Sequence, residues 1–155
     1  MNTDKQTHDI LLLGNGGVGK TSLIYSLKGK GFQQKYVENT DIEISSFELD
    51  SAIVNIYDTP GQYQYNMEEN LKNVFGDSVP SSLRSIIIMW DDSNTSYRKA
   101  MGFWTDVAEN VGGDCPIIYA HNKTDVRHKE YDNAYQISCK RNDIGSLVEG
   151  IVATF

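Results

Sequence analysis

The sequence predicts a single α/β domain over residues 1–155 with a mostly parallel sheet, and three observations point there. Short apolar runs alternate with helical patterns along the chain, the signature of strands joined by crossover helices. A glycine-rich loop ending in Lys-Thr stands between the first apolar run and the first helical pattern. A length of 155 residues is enough to bury one core without disulfides or metals.

The elements follow in order. ILLL (10–13) is the first strand, and SLIYSL opens the first helix after the loop. IEISSFELDSAIVNIY reads as two strands turning near Asp50-Ser51, which places one antiparallel strand at the edge of the sheet. Met67, Leu71, Val74 and Phe75 have helical spacing and end at Gly76, before a loop DSVPSS. SIIIMW (85–90) is the next strand. After it Tyr97, Met101, Trp104, Ala108 and Val111 recur at steps of four and three, so one face of a helix is apolar. PIIYA (116–120) and AYQIS (134–138) are the last two strands. Ile144, Leu147, Val148, Ile151, Val152 and Phe155 line a final helix with Asn142 as its expected N-cap; Gly145 and Gly150 each weaken it by about 1 kcal/mol. Both stripes are expected to be core.

Composition excludes several classes of function. The chain is 39% hydrophobic and 23% charged, with a formal net charge of −7, which opposes general attraction to nucleic acid or anionic lipid. Any phosphate site must therefore be local. Neither a leader segment nor a lipid-bearing tail is expected from the polar MNTDKQTHD or from GIVATF. Cys115 and Cys139, at strands or strand ends, fit reduced thiols in a cytoplasmic or nuclear setting. His8, His121 and His128 are too scattered for a metal site.

GNGGVGKT supplies Gly14, Asn15, Gly16, Gly17, Val18, Gly19, Lys20 and Thr21, followed by Ser22. Glycines let backbone N–H groups converge on phosphate oxygens, the helix N-terminus adds its dipole, Lys20 spans the outer phosphates, and the Thr21 hydroxyl suits Mg²⁺. That loop does not choose between ATP and GTP. In HNKTD (121–125), Asp125 can accept two N–H donors from a guanine edge that adenine lacks, Asn122 would brace the loop, and the Lys123 stem would cover the base. Alone, NKTD is equally a common surface loop. In YDTPGQ (57–62), Asp58 suits Mg²⁺ through water, the Gly61 N–H a terminal phosphate, and Gln62 an attacking water. ISCK (137–140) places Ser138, Cys139 and Lys140 beside the base.

Phosphate loop, DxxGQ, NKxD and SxK, in that order at strand ends, resemble the Ras superfamily of small GTPases over nearly the whole chain. FQQKYV (32–37), IIIMW and the NKTD context look most like its Ran and Rab branches. The resemblance implies a P-loop fold with a mixed six-stranded sheet, GTP or GDP and Mg²⁺ as ligands, and two switch segments. It also implies protein effectors and activating or exchange partners that meet those segments, and a GTPase activity that is slow unaided, since no arginine sits in an obvious cis position. An ungapped count from Lys20 puts Phe32 near the guanine, Tyr36 at a switch tyrosine and Asn39 at the family's magnesium-sensing threonine. A one-residue bulge would give that role to Thr40 instead.

Other departures are specific to this chain. Pro60 would stiffen the second switch. Only residues 126–137 connect NKTD to SCK, so the helix usual there is expected to be shortened or absent, which makes self-association or docking into an assembly a consequence to test. Two rival functions remain: a scaffold subunit that keeps guanine nucleotide without cycling, and an ATPase, which NKTD opposes.

Overall fold

The computed structural model describes residues 6–14, 18–28, 30–36, 42–58, 71, 83–90, 97–122, 134–139 and 143–155. Its strands are β1 (Thr7–Leu13), β2 (Gln33–Tyr36), β3 (Glu43–Leu49), β4 (Ala52–Asp58), β5 (Leu83–Trp90), β6 (Ile117–His121) and β7 (Tyr135–Gln136). Its helices are α1 (Lys20–Leu27), α2 (Tyr97–Gly112) and α3 (Gly145–Val152).

The strands form one sheet in the order β2-β3-β4-β1-β5-β6-β7. β4, β1, β5, β6 and β7 pair in parallel, whereas β3 runs antiparallel to both of its neighbours. The mixed, mostly parallel sheet is the one expected, with an added strand: β2 pairs along the outer edge of β3 through four exposed residues. QQKY has no alternation, and Tyr36 is its one apolar residue. The unpaired backbone of the β3 edge supplies its partners instead.

Burial follows this arrangement. β1 and β5 lie between other strands with helices on both faces, so Ile10–Leu13 and Ile86–Trp90 are buried without alternation. β3 and β4 form the hairpin read from the sequence, with Leu49 opposite Ala52. Asp50 and Ser51 both have positive φ, 50° and 66°, the backbone of a tight turn whose twist matches the strands.

The chain moves from β1 to β4 in one direction and from β5 to β6 in the other. Right-handed crossovers therefore put the connecting helices on opposite faces. Leu23, Ile24 and Leu27 of α1 and Leu147 and Ile151 of α3 pack on Ile10, Leu12, Val54, Ile56, Ile87 and Met89. Trp104, Val107, Ala108 and Val111 of α2 pack on Leu11, Leu13, Ile86 and Ile88 on the other face. Trp104, Ala108 and Val111 of the first stripe and Ile144, Leu147 and Ile151 of the second are core, as their spacing implies; Met101, Val148, Val152 and Phe155 are half-buried, and the Tyr97 side chain lies outside the described residues. The strand order reverses at β1, and the crevice at the C-terminal ends of β1 and β5 is where such sheets place ligands.

One expectation needs correction. The N-cap of α3 is Ile144, not Asn142, and it makes no side-chain capping bond. Ser138 and Asp143 exchange both backbone hydrogen bonds, at 2.9 and 2.8 Å, and this bridge delays the helix to Gly145. Of the connection expected to have lost its helix, residues 126–137, the described part is 134–137, which holds β7 and is not helical; residues 126–133 lie outside the described residues, as does the expected helix around Met67–Phe75 apart from Leu71, which is helical and buried.

Candidate functional site

Gly14 continues β1 with φ 153°, and a side chain there would run into the Met89 carbonyl of β5. Glycine thus lets the end of β1 lie close against the neighbouring strand. Gly19, at φ 101°, occupies the N-cap of α1, and a methyl there would collide with the Asn122 side-chain amide. Only glycine meets both demands at little cost. α1 has no side-chain cap and no acidic residue in its first turn. The positive end of its dipole is left for an anion.

Lys20 begins α1 and is buried at 8% exposure. Its ammonium donates to the Gly14 carbonyl at 2.6 Å. Burial lowers its pKa below the ordinary lysine value, and the nearby Asp58 carboxylate opposes that shift. A cation held this deep, among glycine-lined backbone, suits a polyanion that would add opposite charge. Asp58 ends β4 half-buried, while Thr21 and Ser22 are exposed on the first turn of α1.

The other end of the site is organised by Asn122, the first residue after β6. It is buried, its amide nitrogen donates to the Val18 carbonyl at 2.9 Å, and its carboxamide oxygen accepts the Cys139 N–H at 3.1 Å. One side chain therefore ties the glycine loop to the SCK segment. Ser138 is buried beside it, and Cys139 is half-buried.

The structure thus gathers Gly14, Val18, Gly19, Lys20, Asp58, Asn122 and Cys139 at the C-terminal rim of the sheet. Phe32 and Tyr36 have their described contacts elsewhere. Phe32 leans on Tyr25 and Phe47, with ring centroids 5.9 and 6.4 Å away, and the Lys28 ammonium lies 5.4 Å from its ring centre. Tyr36 is 70% exposed at the end of β2. Asn15, Gly16, Gly17, Asn39, Thr40, Gly61, Gln62, Lys123, Asp125 and Lys140 lie outside the described residues, as does Pro60.

Sequence reasoning gave no role to two residues at this rim. Trp90 and His121 end neighbouring strands with their rings stacked, centroids 5.5 Å apart. The available signal was position: one ends the strand SIIIMW, and the other immediately precedes Asn122.

Residues 9–144 match the family model described as Ras family. The chain belongs to the Ras family. Among solved structures, the chain is similar to the G domain of the FeoB iron transporter of T. maritima, with a TM-score of 0.71 at 19% identity, covering 96% of this chain and 99% of that one. At that identity the likeness speaks for the fold alone. This Ras-family chain is thus an α/β P-loop small GTPase, a guanine-nucleotide-binding G domain of the switch type. None of its described helices is long and apolar enough to cross a membrane.

The residues present fit the ligands that membership implies. A buried ammonium, an uncapped helix N-terminus and two close-packed glycines suit polyphosphate. Thr21 and Asp58 carry hard oxygen donors of the kind that would suit Mg²⁺.

Proposed function

We propose that this Ras-family protein binds GTP·Mg²⁺ and GDP, hydrolyses GTP slowly on its own, and presents different switch surfaces before and after. The observation that supports this reading best is the Asn122 bridge, because it ties the phosphate loop to the SCK segment. Backbone N–H groups of residues 14–21 and Lys20 hold the outer phosphates, with Ser22 following on α1. Lys123, Asp125, Ser138, Cys139 and Lys140 surround the base, and Asp125 selects guanine. Phe32 and Tyr36 belong to the first switch. Thr21, Asp58 and Thr40, or Asn39 in its place, are the magnesium side of the site. Bound Mg²⁺ supplies positive charge to the phosphates.

Gln62 orients a water for attack on the terminal phosphorus, and the Gly61 N–H meets an oxygen of that group. The bond to the oxygen of GDP breaks, and GDP and inorganic phosphate leave. Lys20 and the backbone N–H groups stabilise the charge that develops. Fast turnover requires an arginine from an activating protein. Effectors and exchange proteins meet the switch segments, in the cytoplasm or nucleus, and the chain's motifs look most like those of the Ran and Rab branches.

One observation favours a second reading. Phe32 is packed on Phe47 and Tyr36 belongs to a paired strand, an arrangement suited to a scaffold subunit that keeps its nucleotide without cycling. Single-turnover hydrolysis separates the two. The switch reading expects measurable GTP cleavage that Gln62→Leu lowers about a hundredfold. Retained guanine nucleotide with no cleavage, and no change in Gln62→Leu, supports the scaffold.

A further inference from the structure

Trp90 and His121 are the last pair of the β5/β6 ladder. Both are buried, and their ring planes lie within 23° of each other. Tyr119, on the same strand and face, meets Trp90 edge-on at 6.3 Å. Its hydroxyl stands 3.0 Å from the Thr105 hydroxyl on α2. The residue following His121 is Asn122, whose N–H donates to the Trp90 carbonyl at 2.8 Å, while the His121 carbonyl accepts the Ile137 N–H at 2.8 Å.

We propose that His121 is a positioning residue for nucleotide binding: stacked on Trp90, it fixes the strand end from which Asn122 reaches both Val18 and Cys139. The proposal rests on the guanine-nucleotide reading of the site. A strand fraying at its last ladder pair loses direction first. Two flat rings stacked across that pair resist both sliding and rotation of the strand end. Asn122 has to satisfy a carbonyl on one side and an N–H on the other, and Gly19 leaves no slack against its amide. A displacement of well under 1 Å would weaken both bonds together. Thr105, Tyr119, Trp90 and His121 thereby connect the middle of α2 to the base end of the pocket.

The test places His121→Ala and His121→Phe in wild-type and Asn122→Ala backgrounds. His121→Ala is expected to weaken GDP and GTP alike by about tenfold, with turnover at saturating GTP unchanged. His121→Phe, which keeps a flat ring on Trp90, is expected to restore most of that affinity. In the Asn122→Ala background His121→Ala should add no further loss, because the effect runs through Asn122. An equal loss in both backgrounds, or a Phe variant as weak as the Ala variant, overturns the proposal.

Hydrogen exchange in nucleotide-free protein gives an independent readout. The Asn122 amide should exchange about tenfold faster in His121→Ala, while Leu12 and Ile87 in the sheet centre are unchanged. Unchanged Asn122 exchange overturns the positioning whatever the ligand. If exchange behaves as expected but wild-type protein binds no guanine nucleotide, the positioning is supported and the function assigned to it is overturned.

Discussion

The two rims of the sheet each bury a nitrogen base, and they treat it in opposite ways. At the C-terminal rim Lys20 faces acceptors, the Gly14 carbonyl and the Asp58 carboxylate. At the N-terminal rim the buried His8 faces a donor: Arg84 Nε–H gives a 3.0 Å hydrogen bond to His8 Nδ1, and Phe155 stacks on the ring at 4.3 Å. Burial lowers the pKa of both groups, but the partners diverge. Asp58 opposes the shift at Lys20, whereas Arg84 adds to it at His8, with Asp9 opposing. One rim keeps a buried cation, whose desolvation cost is partly offset by the Gly14 carbonyl and by Asp58. The other keeps a neutral base that serves the fold. On the proposed function, the charged rim is the one that takes the ligand.

Substitutions at the C-terminal rim should cost function most. Gly19→Ala demands φ near 101° from an L-residue and drives a methyl into the Asn122 amide. A stability loss of about 2 kcal/mol is expected by thermal melting, together with loss of guanine-nucleotide binding in a fluorescence titration. Retention of binding would show that the close approach of the two loops is not needed. Lys20→Met should separate function from fold. Nucleotide affinity is expected to fall about a hundredfold, close to 3 kcal/mol. The nucleotide-free protein should melt at a similar temperature, since relief of the ammonium's desolvation offsets loss of its bond to the Gly14 carbonyl and of its attraction to Asp58. A lower melting temperature would mean that Lys20 serves the fold as well, and the contrast between the rims would blur.

The smallest effect belongs to the N-terminal rim. Protonating His8 would break its bond from Arg84 and set two cations together. Its folded pKa lies below the ordinary 6.5, so the unfolded chain takes up the proton first. The stability associated with neutral His8 is therefore present above about pH 6.5 and is lost as the pH falls below it. His8→Phe should flatten the melting temperature between pH 7 and pH 5 by on the order of 2 °C, with nucleotide affinity unaltered. An unchanged slope would remove His8 from the account.

Legibility in the sequence followed how local each feature is. The loop GNGGVGKT, the stripe from Met101 to Val111 and the turn at Asp50-Ser51 are contiguous or periodic, so each could be read where it stands. β2 could not. Its polar residues become a strand only because β3 has a free edge. Asn142 has good N-cap chemistry, but the bridge between Ser138 and Asp143 decides where α3 starts. The stack of His121 on Trp90 arises from the register of two parallel strands 31 positions apart in sequence, which no local pattern encodes. Phe32 was placed by counting from Lys20, and its ring contacts with Phe47 and Tyr25 come from strand pairing and packing that no count encodes.

Competition for a fluorescent guanosine diphosphate bound to the purified chain tests the central claim, that one pocket grips polyphosphate with Lys20 and selects guanine through the loop after Asn122. GTP is expected to displace the label at concentrations at least about a thousandfold lower than ATP, with the difference lost in Asp125→Ala. Equal displacement by the two nucleotides, or no binding of the label at all, would contradict it.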